Sequence, residues 1–90
     1  MKKTIITVVG RDKVGIMADV CVFLAKNEIN ILDVTQTIVD GFFNMMMITD
    51  FSNTTKEFSV LEKEFLSLMD SIGVKAQMQK EEIFDFMHRI

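Results

Sequence analysis

The fold is decided at residues 9–16, which read VGRDKVGI. They join a β-branched run, residues 4–9, to a segment whose apolar residues recur at helical spacing. Gly10 and Gly15 bracket a charged turn, so the chain can bend tightly and leave backbone amides uncovered. The first amides of a helix lack an intrahelical partner and carry the positive end of its dipole. We therefore expect an anionic group to bind here, with Asp12 able to hold a cationic one, and an amino acid carries both charges.

Composition predicts one small domain that shares some of its apolar surface with a partner. The chain has 90 residues, of which 49% are hydrophobic, and it contains eight Met and eight Phe. A domain of this size has a large surface relative to its volume. We expect a second chain to cover part of that apolar surface.

Charge and hydropathy exclude several classes of partner. The net charge is −3, with acidic and basic residues interspersed, which argues against nucleic acid binding. No long apolar run and no signal-peptide pattern occur, so we expect a cytoplasmic protein that does not bind a membrane. Cys21 is the only cysteine, which rules out an internal disulfide, and we predict that it lies in the core.

The hydrophobic pattern predicts an α+β fold. The predicted order is a strand at 2–9, a helix at 14–27, strands at 29–40 and 42–50, a helix at 58–72, a strand at 74–79 and a helix at 81–90. Asp40-Gly41 indicates a tight turn between two strands, Thr54 with Glu57 fits a capping box, and Gly73 fits a left-handed helix end. Two right-handed crossovers then give a ferredoxin-like βαββαβ sandwich with an antiparallel sheet in the order 4-1-3-2.

Two of the predicted strands carry more apolar residues than the two helices, which lie on one face of the sheet, can cover. The second strand has Leu32, Val34 and Ile38 on one side. The third strand is apolar on both sides, with Phe43, Met45 and Met47 facing one way and Phe42, Met46 and Ile48 the other. Because the helices cover one face of the sheet, we expect the other to be covered by the terminal helix or by a second subunit of a homodimer.

The sequence offers no catalytic or metal-binding constellation. His88, the only histidine, lies far along the chain from any nucleophile, and Glu81-Glu82 fit the first turn of a helix. Gly10 and Gly15 are followed by Ile16-Met17 rather than the Lys-Ser of a P-loop, and no metal-ligand spacing occurs. We expect neither an enzyme nor a cofactor.

Two segments have the chemistry of a binding site. One is the turn with Asp12 and the amides near Gly15 and Ile16; the other is Asn30-Ile31, which opens the second strand. These lie at opposite ends of the sheet within one chain, but Asn30 of a two-fold partner can approach Asp12. Spacing alone favours a structural interpretation, with Asp12 as a helix-start residue and Asn30 as a turn residue that bonds its own backbone.

Gly10-x-Asp12-x-x-Gly15-Ile16 after a strand, followed by Asn30-Ile31, resembles the ACT domain family of small βαββαβ regulatory modules. The match covers residues 3 to about 80, so we expect an ACT domain at 1–80 and a separate helix at 81–90. Within that family, the chain resembles small stand-alone bacterial ACT proteins and the single halves of the glycine cleavage system repressor. This chain departs from many of them in having Val14 where they carry proline.

The resemblance implies that the chain binds a small amino acid at a homodimer interface and signals to a regulated partner protein. The ligand contacts carried over by position are Gly10, Asp12, Gly15, Ile16, Asn30 and Ile31. Two alternatives stay open. One is a protein-interaction module without a ligand; the other is a small acylphosphatase-like enzyme, for which Arg11 is the only candidate phosphate-binding arginine.

Overall fold

A computed structural model describes residues 2–82 of the chain. Its elements, in order, are β1 (Lys3–Arg11), α1 (Ile16–Lys26), β2 (Asn30–Val39), β3 (Phe42–Asp50), α2 (Phe58–Ser71) and β4 (Lys75–Lys80). The predicted βαββαβ order is confirmed, with boundaries that differ from the predicted ones by at most two residues.

The four strands form one antiparallel sheet in the order β2-β3-β1-β4. This is the predicted order 4-1-3-2 counted from the opposite edge. β1 and β3 occupy the centre because each helical crossover skips one position: β3 lies between β1 and β2, and β1 lies between β3 and β4. We call the sheet face that packs against α1 and α2 the helix face, and the opposite one the open face.

The core lies between the helix face and the two helices. Ile6 and Val8 of β1 are fully buried there, beside Met45 and Met47 of β3. The rings of Phe23 from α1 and Phe65 from α2 meet above them at a centroid distance of 5.3 Å. The predicted alternation of β3 is confirmed: Phe43, Met45 and Met47 are buried, whereas Phe42 and Met46 are exposed.

Two turns form as their residues predict. Asp40 (φ 52°) and Gly41 (φ 80°) both adopt positive φ, as the two-residue turn of a twisted hairpin requires. Gly73 (φ 81°) follows the end of α2 and donates its amide to the Asp70 carbonyl at 3.0 Å.

Other predictions need correction. The Thr54–Glu57 capping box does not form, because Glu57 itself is the N-cap of α2 and makes no side-chain capping bond. The Thr54 hydroxyl instead accepts a 3.4 Å bond from the Lys56 amide. Cys21 is only half-buried, packed against the edge of the core.

The predicted terminal helix falls almost wholly outside the described residues. Only Glu81 and Glu82 of the 81–90 segment are described, and both are helical. Residues 83–90, including His88, lie beyond them, so the structure gives no support to the extra helix or to the division at residue 80.

The strand β2 is exposed along its whole length, from Asn30 to Val39. A β-bulge between Ile31 and Asp33 leaves Leu32 without a paired position in β3, so Leu32 does not continue the expected row with Val34 and Ile38. The outer side of β2 pairs with no other described strand.

Candidate functional site

The turn between β1 and α1 presents free backbone amides to solvent. Gly15 is the N-cap of α1 in the left-handed conformation (φ 95°, ψ −3°), and no side chain caps this helix. Ile16 begins the helix and anchors it, since its side chain is 2% exposed. No described group accepts a hydrogen bond from the Gly15 or Ile16 amide. These donors, with the helix dipole behind them, suit a carboxylate.

Asp12 is held in place by its backbone while its carboxylate stays exposed. The Asp12 amide donates to the Gly41 carbonyl at 2.9 Å, which fastens the turn to the β2–β3 hairpin. Within residues 2–82 no hydrogen bond or ion pair engages the carboxylate. Asp12 is thus a positioned, unpaired negative charge beside the α1 amides.

The basic residues on either side of Asp12 are engaged elsewhere. The Arg11 guanidinium lies 5.0 Å from the ring centroid of Phe42, its neighbour across the open face. The Lys13 ammonium donates to the Ile72 carbonyl at 2.9 Å, where the last carbonyls of α2 lack intrahelical partners. Neither of these two adjacent cations therefore neutralises the Asp12 carboxylate.

Gly10 has a packing role that spacing alone does not reveal. A Cβ built on Gly10 would lie 2.8 Å from a methyl carbon of Val74 and 3.1 Å from its Cα. The absence of a side chain therefore lets the start of β4 pass close to β1.

Asn30 and Ile31 lie at the other end of the sheet, as expected within one chain. Asn30 pairs with Asp50, which in turn pairs with Lys3, whereas Arg11 pairs with Phe42 at the opposite end. Eight residues of strand separate the two ends, or roughly 26 Å. Asn30 and Ile31 line an open cleft of about 760 Å³ beside the end of α1, together with Cys21 and Glu28.

A second cavity, of about 660 Å³, was not anticipated from the sequence. Lys2, Lys3, Lys56 and Lys80 line it together with Phe58, near the start of α2. Lys2 and Lys3 are far along the chain from Lys56 and Lys80, so no local pattern predicts that the four lysines meet. Neither cavity reaches the Asp12 turn, which is open to solvent rather than enclosed.

Other chemistry is limited among the described residues. No group of three or more His, Cys, Asp or Glu side chains in residues 2–82 is arranged to hold a metal ion. None of the helices described there is both long and apolar enough to cross a membrane.

Near Asn30, hydrogen bonds from the Ser52 hydroxyl and amide lower the pKa of Asp50.

Comparisons with known proteins agree with this architecture. A family model described as ACT domain matches residues 2–79. A UPF0237 protein of Bifidobacterium longum is 53% identical over 90 residues, and the match covers 100% of both chains. An ACT domain protein from Streptococcus pneumoniae has a TM-score of 0.81 at 39% identity, covering 93% of this chain and 94% of that one.

One further structure shares the fold alone. A protein described as a glycine cleavage system transcriptional repressor has a TM-score of 0.78 at 22% identity, over 88% of this chain and 45% of that one. The matched family model spans the whole βαββαβ unit, from the first strand to the last. The chain therefore belongs to the ACT domain family, a family of regulatory amino-acid-binding modules.

Proposed function

We propose that this protein is a non-catalytic cytoplasmic regulator that binds a small free amino acid between two copies of the chain and signals to a partner protein. The Asp12 carboxylate holds the ligand ammonium, and the amides of Gly15 and Ile16 hold its carboxylate. Asn30 of the second chain adds a hydrogen bond, with Ile31 and Gly10 bordering the ligand.

The observation that carries the proposal is that one turn presents both a free carboxylate and free backbone amides. Asp12 is exposed and without a described partner, and it lies three residues before Gly15, the N-cap of α1, where no side chain caps the helix. Charge-assisted hydrogen bonds contribute about 1.5–3 kcal/mol each, so two or three support an affinity that is roughly micromolar.

A second copy of the chain is supported by the exposed edge strand. β2 carries Ile31, Leu32, Val34, Ile38 and Val39, which are all solvent-exposed, along an edge with unpaired backbone groups. Such an edge is a template for adding another strand. Pairing β2 with its two-fold copy joins two sheets and covers these side chains.

Antiparallel pairing along β2 also brings the two halves of the site toward each other. It sets the Asn30 end of one strand against the Val39 end of its copy. The Asp12 turn is tied to that same end through the bond to Gly41. A site shared in this way links ligand affinity to dimer geometry.

Two other functions fit less of the structure. A ligand-free interaction module is favoured by the exposed Val9, Phe42 and Met46 of the open face, but it leaves the Asp12 turn unused. An acylphosphatase-like enzyme needs an arginine aimed at the turn amides. Arg11 instead stacks on Phe42 at the open face.

Thermal-shift measurement with each of the twenty amino acids tests the proposal. A ligand at 100-fold its Kd stabilises the folded state by about 2.7 kcal/mol, which raises the Tm by several degrees in a domain of this size. We expect a rise with a small amino acid and its loss in Asp12→Ala. Asp70→Asn, which removes an exposed carboxylate from α2, is the matched control and should respond like the native chain.

Mixing two binding-deficient variants tests whether the site is shared. In a heterodimer of Asp12→Ala and Asn30→Ala chains, one site loses both side chains and the other keeps both. After subunit exchange, about a quarter of all sites should bind again in calorimetry. No recovery would place the site within one chain, and no response to any amino acid would leave the interaction module as the better reading.

A further inference from the structure

One residue of the open face is buried where the helices cannot cover it. Ile5 points to this face, because its neighbours Thr4 and Ile6 point to the helix face. Ile5 is nevertheless 5% exposed, and it does not belong to the core cluster between the sheet and the helices. Both helices pack on the other side, so neither accounts for this burial.

The burial is confined to one end of the open face. Ile48 and Gln79, which pair with Ile5 on either side, are half-buried. Farther along the same face Met46 is 42% exposed and Val9 is 45% exposed. We name the row formed by Gln79, Ile5 and Ile48 the Ile5 strip.

The chain leaves the sheet beside this strip. β4 ends at Lys80, one residue after Gln79 of the strip. The Glu81 carboxylate then lies 3.8 Å from the Lys3 ammonium. Lys3 is two residues from Ile5 in β1 and shares its face, so this contact keeps the departing chain at the open-face side of the sheet.

The eight residues that follow have the composition to cover the strip. Residues 83–90 read IFDFMHRI, with five apolar side chains: Ile83, Phe84, Phe86, Met87 and Ile90. Because the Ile5 strip contains two covered isoleucines, the adjacent apolar segment is best placed against it. We propose that residues 83–90 dock in cis on the Ile5 strip and leave the Phe42 end of the open face free. This inference does not depend on the binding of an amino acid.

Nuclear Overhauser contacts in the full-length chain test the docking. The chain carries protonated isoleucine methyls and phenylalanine rings in a deuterated background, and one part of it is then mixed with nine parts of fully deuterated chain. We expect contacts from the Ile5 and Ile48 methyls to the Phe84 and Phe86 rings, with an intensity per labelled chain that dilution leaves unchanged. The Ile38 methyl, on the exposed edge strand, should show no contact with these rings.

Matched variants give a second readout. Replacing Phe84 and Phe86 together with serine should shift the Ile5 and Ile48 methyl resonances and leave that of Ile29, in the main core, unchanged. Phe42→Ser, at the far end of the same face, should leave the strip's resonances in place.

Three outcomes would overturn the proposal. A tenfold loss of intensity per labelled chain on dilution would make the tail of a second copy the occupant. Contacts between the Ile5 strip and the open face of a second copy would indicate face-to-face pairing. Absence of any contact between the tail and the strip would show that residues 83–90 lie elsewhere.

Discussion

β1 and β2 have similar compositions and opposite environments. Both are rich in β-branched residues, yet β1 contains Ile6 and Val8 with no exposed surface, while all ten residues of β2 are exposed. β1 lies between β3 and β4 beneath the helices, whereas β2 is an edge strand. Position in the sheet, rather than hydrophobicity, decides burial here. The apolar residues of β2 are accordingly surface that a partner can use.

Truncation in the two strands should show the largest difference. Ile6→Ala removes a fully buried side chain and leaves a cavity, so it should cost about 2–5 kcal/mol of unfolding free energy. Val34→Ala, on β2, should cost within about 0.5 kcal/mol in dilute solution. Denaturant unfolding measures both. Equal costs would mean that β2 is buried even in the isolated chain.

Adding one methyl group to β1 should also be expensive. Gly10→Ala places its Cβ 2.8 Å from Val74, so either β4 shifts or the site is strained, at about 1–3 kcal/mol. The double variant with Val74→Ala should lose less than the sum of the two single costs, because the contact is relieved. Strict additivity would show that the close approach is not the cause.

A charge on β2 should leave the fold intact and weaken the dimer. Ile38 is exposed in the single chain, so Ile38→Lys should change the unfolding free energy little. In the paired state two lysines face a buried edge, and we expect the dimer Kd to rise at least about tenfold, or 1.4 kcal/mol. Sedimentation measures the Kd, with Lys63→Arg on the exposed side of α2 as control. An unchanged Kd would move the interface away from β2.

The smallest predicted effect lies on β3, where Asp50 pairs with Lys3 of β1 and Asn30 of β2. Ser52 lowers the pKa of Asp50 below its ordinary 3.8, so the folded state binds this proton less tightly than the unfolded chain. The resulting stability is present above the ordinary pKa and disappears as the pH falls through the lowered one. Ser52→Ala should therefore be slightly less stable than the native chain at pH 7.

That difference between the native chain and Ser52→Ala should shrink as the pH falls below 3.8 in urea titrations. Ser59→Ala, an exposed change in α2, supplies the comparison and should show a constant offset. If the Ser52 difference also stayed constant with pH, the hydroxyl would not act through the Asp50 charge.

Local chemistry made much of the fold predictable. The Asp40-Gly41 and Gly73 turns require positive φ, which few residues adopt, so their positions could be read directly. The period-two alternation of β3 likewise identified its buried side. The predicted capping box was wrong: Thr54 and Glu57 have the right spacing, but Glu57 itself is the N-cap of α2, which begins at Phe58 and packs Phe58 and Leu61 against the core.

The features around the candidate site likewise fall into those that local sequence predicts and those that depend on long-range contacts. Gly15 and Asp12 could be proposed as site residues from the sequence because a helix start and a nearby carboxylate are local features. The contact of Gly10 with Val74 and the bond from Lys13 to Ile72 join residues about sixty positions apart, and no pattern in the sequence reports them. The lysine-lined cavity was missed for the same reason.

The sequence by itself determined the order of strands and helices, the turns between them and the charged bend that begins α1, since these depend on residues a few positions apart. Only the tertiary structure decided that β2 is exposed along its whole length, that Val74 passes close to Gly10, and that Ile5 is covered on the open face. Such facts arise from sheet order and register, which are set by contacts between distant segments rather than by any one of them.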